Sequence, residues 1–133
     1  MPFQPTITVL LIDDDEDDRF FMELAFKTNS PSTQVHLAAG GQQALDLLKV
    51  AHPLPDVILL DLNMPGISGF EILAQLKQST IYRSIPVVIL TTSDAETDQE
   101  RARQLGATEF ITKPTTYDGL SAIAERIRLT LVE

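Results

Sequence analysis

Apolar residues in this chain gather into short unbroken runs, separated by longer stretches in which they recur at helical spacing. Val9-Leu10-Leu11-Ile12 and Val57-Ile58-Leu59-Leu60 contain no polar residue, and Pro86–Leu90 is equally apolar. Unbroken runs of this length belong to strands covered on both faces, as in a parallel sheet flanked by helices. Gln34–Ala38 alternates weakly and Phe110–Thr112 is short; both predict further strands. The intervening stretches predict helices. The first runs from Asp15 to Thr28 and ends at Asn29-Ser30-Pro31; the second runs from Gln42 to Val50. His52-Pro53-Leu54-Pro55 stops the second helix, because proline cannot continue one. Ser68-Gly69-Phe70-Glu71 has the spacing of a capping box and opens a helix to Gln78. Ser93-Asp94-Ala95-Glu96 is a second such box, opening a polar helix whose apolar residues are Ala95, Ala102 and Leu105. Gly106 ends it. A final helix, Tyr117 to Leu131, carries a stripe of Leu120, Ile123, Ile127 and Leu131.

A strand-then-helix rhythm repeated five times predicts an α/β fold with a parallel sheet. Residues 1–133 read as a single domain, with its core between about 7 and 131 and no room for a second. Composition agrees: 44% hydrophobic and 22% charged is ordinary for a globular protein. The net charge of −9 argues against nucleic acid as a partner, since phosphate neutralisation needs a basic surface. Cysteine is absent, which excludes disulfides, zinc–thiolate centres and thiol nucleophiles. No stretch has the length of a signal h-region or a membrane span, so a cytoplasmic location is expected, with no membrane partner.

Two of the apolar runs stop abruptly at aspartate: the first at Asp13-Asp14-Asp15, the second at Asp61. In a parallel sheet both tips lie on the carboxyl edge, where open α/β sheets place their ligands. Clustered carboxylates are costly to hold together without a cation or proton among them. A divalent-metal site is therefore expected. The fourth strand ends in Thr91-Thr92 and the fifth in Lys113-Pro114, so a hydroxyl and an ammonium join the same edge. Phosphoryl transfer to a carboxylate needs that inventory. Asp61 is the expected nucleophile, with Mg2+ held by oxygen ligands. Lys113 and Thr91 are expected to bind phosphoryl oxygens. Taken singly, each residue has a simpler explanation: an aspartate after a strand is usually a turn or cap, and Asp15 is read as one. Four such features on four strand tips outweigh those explanations.

Leu11-Ile12-Asp13-Asp14, Val57 through Gly66 (VILLDLNMPG), Pro86 through Thr92 (PVVILTT), Leu105-Gly106-Ala107 and Thr112-Lys113-Pro114 together resemble the receiver domain of two-component response regulators. The resemblance covers essentially the whole chain. It implies a flavodoxin-like, doubly wound five-stranded parallel sheet of order 2-1-3-4-5 with five helices. It implies a stand-alone signalling domain rather than an enzyme, one that supports its own phosphoryl transfer and slow autodephosphorylation. Asp61 matches the phosphoacceptor, Asp14 a direct metal ligand, and Asp13 the acidic neighbour that acts through water. Asn63 matches the position whose backbone carbonyl meets the metal. Thr91 matches the switch hydroxyl, Lys113 the lysine, and Phe110 the aromatic switch position, expected to swing inward on phosphorylation. Lys113–Pro114 matches a peptide bond that is commonly cis in the family.

The implied partner is a sensor histidine kinase or histidine phosphotransfer protein, and the face formed by the fourth helix, fifth strand and fifth helix is the family's usual partner or homodimer surface. The run Asp13-Asp14-Asp15-Glu16-Asp17-Asp18 with its downstream motifs also resembles single-domain regulators serving bacterial phytochrome kinases. Asp17 and Asp18 are read as first-turn residues favoured by the helix dipole. Phe21, Met22, Ala25 and Phe26 are expected to face the sheet. Phe20 and Leu24 point outward, either as a small docking patch or covered by neighbouring side chains. His36 and His52 receive no role. Aspartyl phosphatases of the haloacid dehalogenase type need a second acid two residues after the nucleophile, where this chain has Asn63. A flavin mononucleotide carrier needs a phosphate-cradling first loop, which a string of aspartates opposes. A receiver used only for docking would have no need of the full set of residues.

Overall fold

The computed structural model describes residues 6–132, with side chains through residue 130. Five strands form one parallel sheet: β1 Thr8–Ile12, β2 Gln34–Ala38, β3 Val57–Leu60, β4 Val87–Thr91 and β5 Glu109–Thr112. Their order is β2-β1-β3-β4-β5, as the sequence resemblance implies. Five helices connect and follow them: α1 Glu16–Asn29, α2 Gly41–Val50, α3 Gly69–Gln78, α4 Glu96–Gln104 and α5 Tyr117–Val132. Every residue of β1, β3 and β4 is buried, which is why those three read as unbroken apolar runs. The edge strands are only partly covered.

Alternate residues of the central strands face two separate cores. Leu10, Ile12, Ile58, Leu60 and Ile89 pack with side chains of α2, α3 and α4. Val9, Leu11, Val57, Leu59 and Leu90 pack with Met22, Ala25 and Phe26 of α1 and Ile123, Ala124 and Ile127 of α5. Each fully buried large apolar side chain contributes about 1.5–3 kcal/mol. These two layers therefore hold the carboxyl edge in place. The α5 stripe is confirmed at Leu120, Ile123 and Ile127; the Leu131 side chain lies outside the described residues. Among the described residues no helix is long and apolar enough to cross a membrane.

Local chemistry sets the helix starts. The Asp15 side chain accepts the Asp18 N–H at 3.0 Å and caps α1. Ser68 Oγ accepts the Glu71 N–H at 3.3 Å and caps α3. The second capping box does not form as expected. Asp94 and Ala95 stay outside the helix, so α4 begins at Glu96 with Ala95 as a cap lacking a side-chain bond. Ser93 Oγ instead donates to Asp98 Oδ2 at 2.6 Å.

Two further expectations are corrected. Phe21 is 43% exposed and not part of the sheet-facing arc, which is limited to Met22, Ala25 and Phe26. It falls at the margin of that narrow stripe, and its ring meets Phe20 edge-on at 5.2 Å. Lys113–Pro114 is trans, and among the described residues the cis peptide bond is His52–Pro53. An X–Pro amide separates its two isomers by only about 0.5–1 kcal/mol, so surroundings rather than sequence select between them.

Candidate functional site

The parallel register brings the strand tips to one edge. Ile12 lies beside Leu60 and Thr91 beside Thr112, so the residues that follow, Asp13, Asp61 and Lys113, surround one point. Asp13 and Asp61 are buried, Asp14 is exposed, and one carboxylate oxygen from each lies within 4.8 Å of the others. Three carboxylates offering hard oxygen donors at that spacing fit a hard divalent cation. Backbone donors help to orient the group: the Asp15 N–H donates to Asp13 Oδ1 at 2.9 Å and the Asn63 N–H to Asp61 Oδ1 at 3.2 Å. Arg19 Nη1 donates to the Asp13 carbonyl at 2.8 Å, tying the first turns of α1 to the tip of β1.

Lys113 supplies the balancing charge. Its Nζ donates to Asp13 Oδ2 at 2.8 Å and stands 3.7 Å from Asp61 Oδ2. It also donates to Asp18 Oδ2 at 2.7 Å. Burial alone would lower the lysine's pKa, but the bonds to Asp13 and Asp18 outweigh it and hold the ammonium above its ordinary value. Burial acts the other way on Asp13, raising its pKa despite the Lys113 bond. The Asp18 contact corrects the reading of that residue as a dipole partner alone. Its position offered a signal: Asp18, Met22 and Ala25 share one helical stripe, and the last two are buried.

Thr91 is fully buried at the end of β4. Its hydroxyl accepts from Asn63 Nδ2 at 3.4 Å and the Ser93 N–H at 3.5 Å, both long contacts. Asn63 is itself exposed, and its amide spans the gap between β3 and β4. Phe110 is not drawn into the acidic group. It lies beside Ile89 on β5, half-buried at the edge of the α2–α3–α4 core. Gly69 accounts for the approach of α3 to the site: a Cβ there would sit 2.3 Å from the Asp61 carbonyl oxygen. Gly66, with φ of 78°, turns the loop between them.

The chain matches the response regulator receiver domain family over residues 9–125. Response regulator Rcp1 of Synechocystis sp. is 31% identical over 128 residues, a match covering 92% of this chain and 87% of that protein. The solved structure of the phosphorylated cyanobacterial phytochrome response regulator RcpA superimposes with a TM-score of 0.89 at 28% identity, covering 97% of this chain and 96% of the other. The Mn2+-bound form of response regulator Rcp1 gives 0.83 at 30% identity, covering 96% and 95%. Other curated relatives are longer, and the chain spans 51% of one and 22% of another. With the fold, strand order and acidic edge in agreement, this chain belongs to the response regulator receiver domain family, a signalling family whose members are phosphorylated by histidine kinases.

Proposed function

We propose that Asp61 is the phosphoacceptor of this receiver and that Lys113, Thr91 and Phe110 read its state. The observation that carries this reading is the placement of the Lys113 ammonium 3.7 Å from Asp61, in a site where Asp13, Asp14 and Asp61 can share one cation. The donor is a histidine kinase or histidine phosphotransfer protein. Kinases of the bacterial phytochrome class are the first to try, given the phytochrome regulator among the structural relatives. A carboxylate oxygen of Asp61 attacks phosphorus, an O–P bond forms, and the N–P bond to the donor imidazole breaks with its electron pair returning to nitrogen.

Mg2+ held by Asp14, Asp61 and the Asn63 carbonyl, with Asp13 acting through water, would draw charge off the phosphoryl oxygens. Lys113 neutralises another oxygen. Thr91 donates its hydroxyl once its long contacts to Asn63 and Ser93 give way. Because those contacts are weak, the hydroxyl is free to be captured by a stronger acceptor. Phe110, half-buried beside Ile89, then turns inward and alters the α4–β5–α5 face, where a partner or a second copy docks. Incubation with acetyl phosphate and Mg2+ tests the assignment by intact mass. One phosphoryl group is expected on the wild type and none on Asp61→Asn; retained labelling in that variant refutes it.

A further inference from the structure

The Lys113 ammonium carries three protons, and three carboxylates surround it. Asp13 Oδ2 at 2.8 Å and Asp18 Oδ2 at 2.7 Å take two of them, and Asp61 Oδ2 stands further off at 3.7 Å. The lysine side chain is only 8% exposed, so it relies on these carboxylates more than on water. Asp18 differs from the other two. It lies outside the Asp13, Asp14 and Asp61 group that could share a cation. It stands on the first turn of α1, where its own N–H is fixed by the Asp15 cap.

We propose that Asp18 is a positioning residue for phosphoryl transfer, holding Lys113 so that its remaining N–H is directed at Asp61. This rests on the reading of Asp61 as phosphoacceptor. Asp13 serves both Lys113 and the cation group, so its charge is divided when a cation binds. Asp18 offers a bond for which that cation does not compete. Because it is anchored to a capped helix turn, it restrains the lysine without following the cation. Orientation of this kind is worth an order of magnitude or more in rate when a reacting group's partner is otherwise free to move. A dipole role alone would be shared by Asp17, which is on the same turn and equally charged, and is exposed where Asp18 is half-buried.

The test therefore compares Asp18→Asn with Asp17→Asn, two variants with the same charge change. Phosphorylation by acetyl phosphate is followed by intact mass in saturating Mg2+. The maximal rate of Asp18→Asn is expected to fall about tenfold, with the half-saturating donor concentration little changed, and that of Asp17→Asn to stay within about twofold. Asp18→Glu is expected to recover part of the loss. In the metal-free protein, the 15N–1H signal of the Lys113 ammonium reports its restraint directly; it is expected to broaden in Asp18→Asn and persist in Asp17→Asn. Equal rates and equal signals in the two variants overturn the proposal. So does a more than tenfold loss of Mg2+ affinity in Asp18→Asn by calorimetry, which would make Asp18 a cation ligand. Labelling that survives in Asp61→Asn would instead refute the phosphoacceptor assignment, and this inference with it.

Discussion

The tips of β1 and β3 and those of β4 and β5 meet at one edge, yet they are held very differently. On the acidic side both strands are wholly buried and α1 is capped by Asp15. Asp13 is tied through its carboxylate to the Asp15 N–H and through its carbonyl to Arg19. α3 is capped by Ser68 and rests directly on the Asp61 backbone at Gly69. Across the edge β4 is buried just as deeply, but α4 buries Ala102 alone and begins at a cap without a side-chain bond, β5 is half-covered, and the Thr91 hydroxyl has only long contacts among the described residues. Elements that move in signalling come from the lightly anchored end of a protein's local stabilities. On the proposed reading, the carboxylates keep a fixed geometry while the Thr91 hydroxyl and Phe110 supply the movement.

The largest effect on stability is expected where the acidic half depends on Lys113. Lys113→Ala leaves the buried Asp13 without its partner and removes the charge that offsets Asp18 and Asp61. Breaking a buried pair by removing one member costs about 3 kcal/mol or more. Urea denaturation in a chelator should show that loss, and excess Mg2+ should recover part of it. An unchanged midpoint would mean that the carboxylates hold their arrangement without the ammonium.

Gly69→Ala tests the same half through packing alone. The added Cβ meets the backbone of Asp61 and Leu62 at 2.3 and 2.6 Å, which no rotamer change relieves. Forcing α3 away from β3 is expected to cost about 2 kcal/mol. It should also slow acetyl phosphate labelling, because the Asp61 peptide must shift. A thermal scan beside the labelling assay measures both; full stability with full activity would show that the acidic half tolerates movement.

How much of this was readable beforehand depends on whether neighbours or distant residues decide. Val9–Ile12 and Val57–Leu60 announced themselves as strands because burial on both faces removes every polar residue, and the aspartates that end them mark the edge. Ser68 capped α3 as its spacing predicted, since capping is settled within four residues. The helix dipole is a sufficient local explanation for Asp18, and its bond to Lys113, 95 positions away, leaves no mark in the neighbouring sequence. Helical spacing gives a stripe without its width, so it does not separate Phe21 from the buried Met22, Ala25 and Phe26. The α4 start shifted because Ser93 found Asp98, an option equally open to its sequence. The Lys113–Pro114 isomer is decided by tertiary surroundings that the dipeptide does not contain.

Exchanging caps sharpens the comparison at smaller scale. Ser68→Ala removes the bond to the Glu71 N–H and is expected to cost about 1 kcal/mol. Ala95→Ser offers α4 the side-chain acceptor it lacks and is expected to add about 0.5–1 kcal/mol of helix stability. Amide hydrogen exchange should show slower opening confined to α4 in the second variant. If α4 is the moving element, phosphorylation-induced changes at Phe110 should shrink there while labelling of Asp61 is unaffected.

The smallest expected effect comes from protons and separates the two halves once more. Burial raises the Asp13 pKa above its ordinary value. A raised carboxylate contributes stability that is complete below the unfolded-state pKa and lost as pH rises through the folded one. The metal-free protein should therefore lose Asp13's contribution on going from acid toward neutral pH, and Asp13→Asn should remove that slope. Divalent cations need the deprotonated carboxylate, so stabilisation by Mg2+ should grow over the same interval. Lys113, held above its ordinary value by Asp13 and Asp18, follows the same rule at the alkaline end: its contribution persists through neutrality and fades only above the ordinary lysine range. Urea titrations at stepped pH, with chelator and with Mg2+, read both slopes. Identical acid slopes in wild type and Asp13→Asn would mean that the buried carboxylate is already compensated by its hydrogen bonds, and that the rigidity of the acidic half comes from backbone packing rather than from charge.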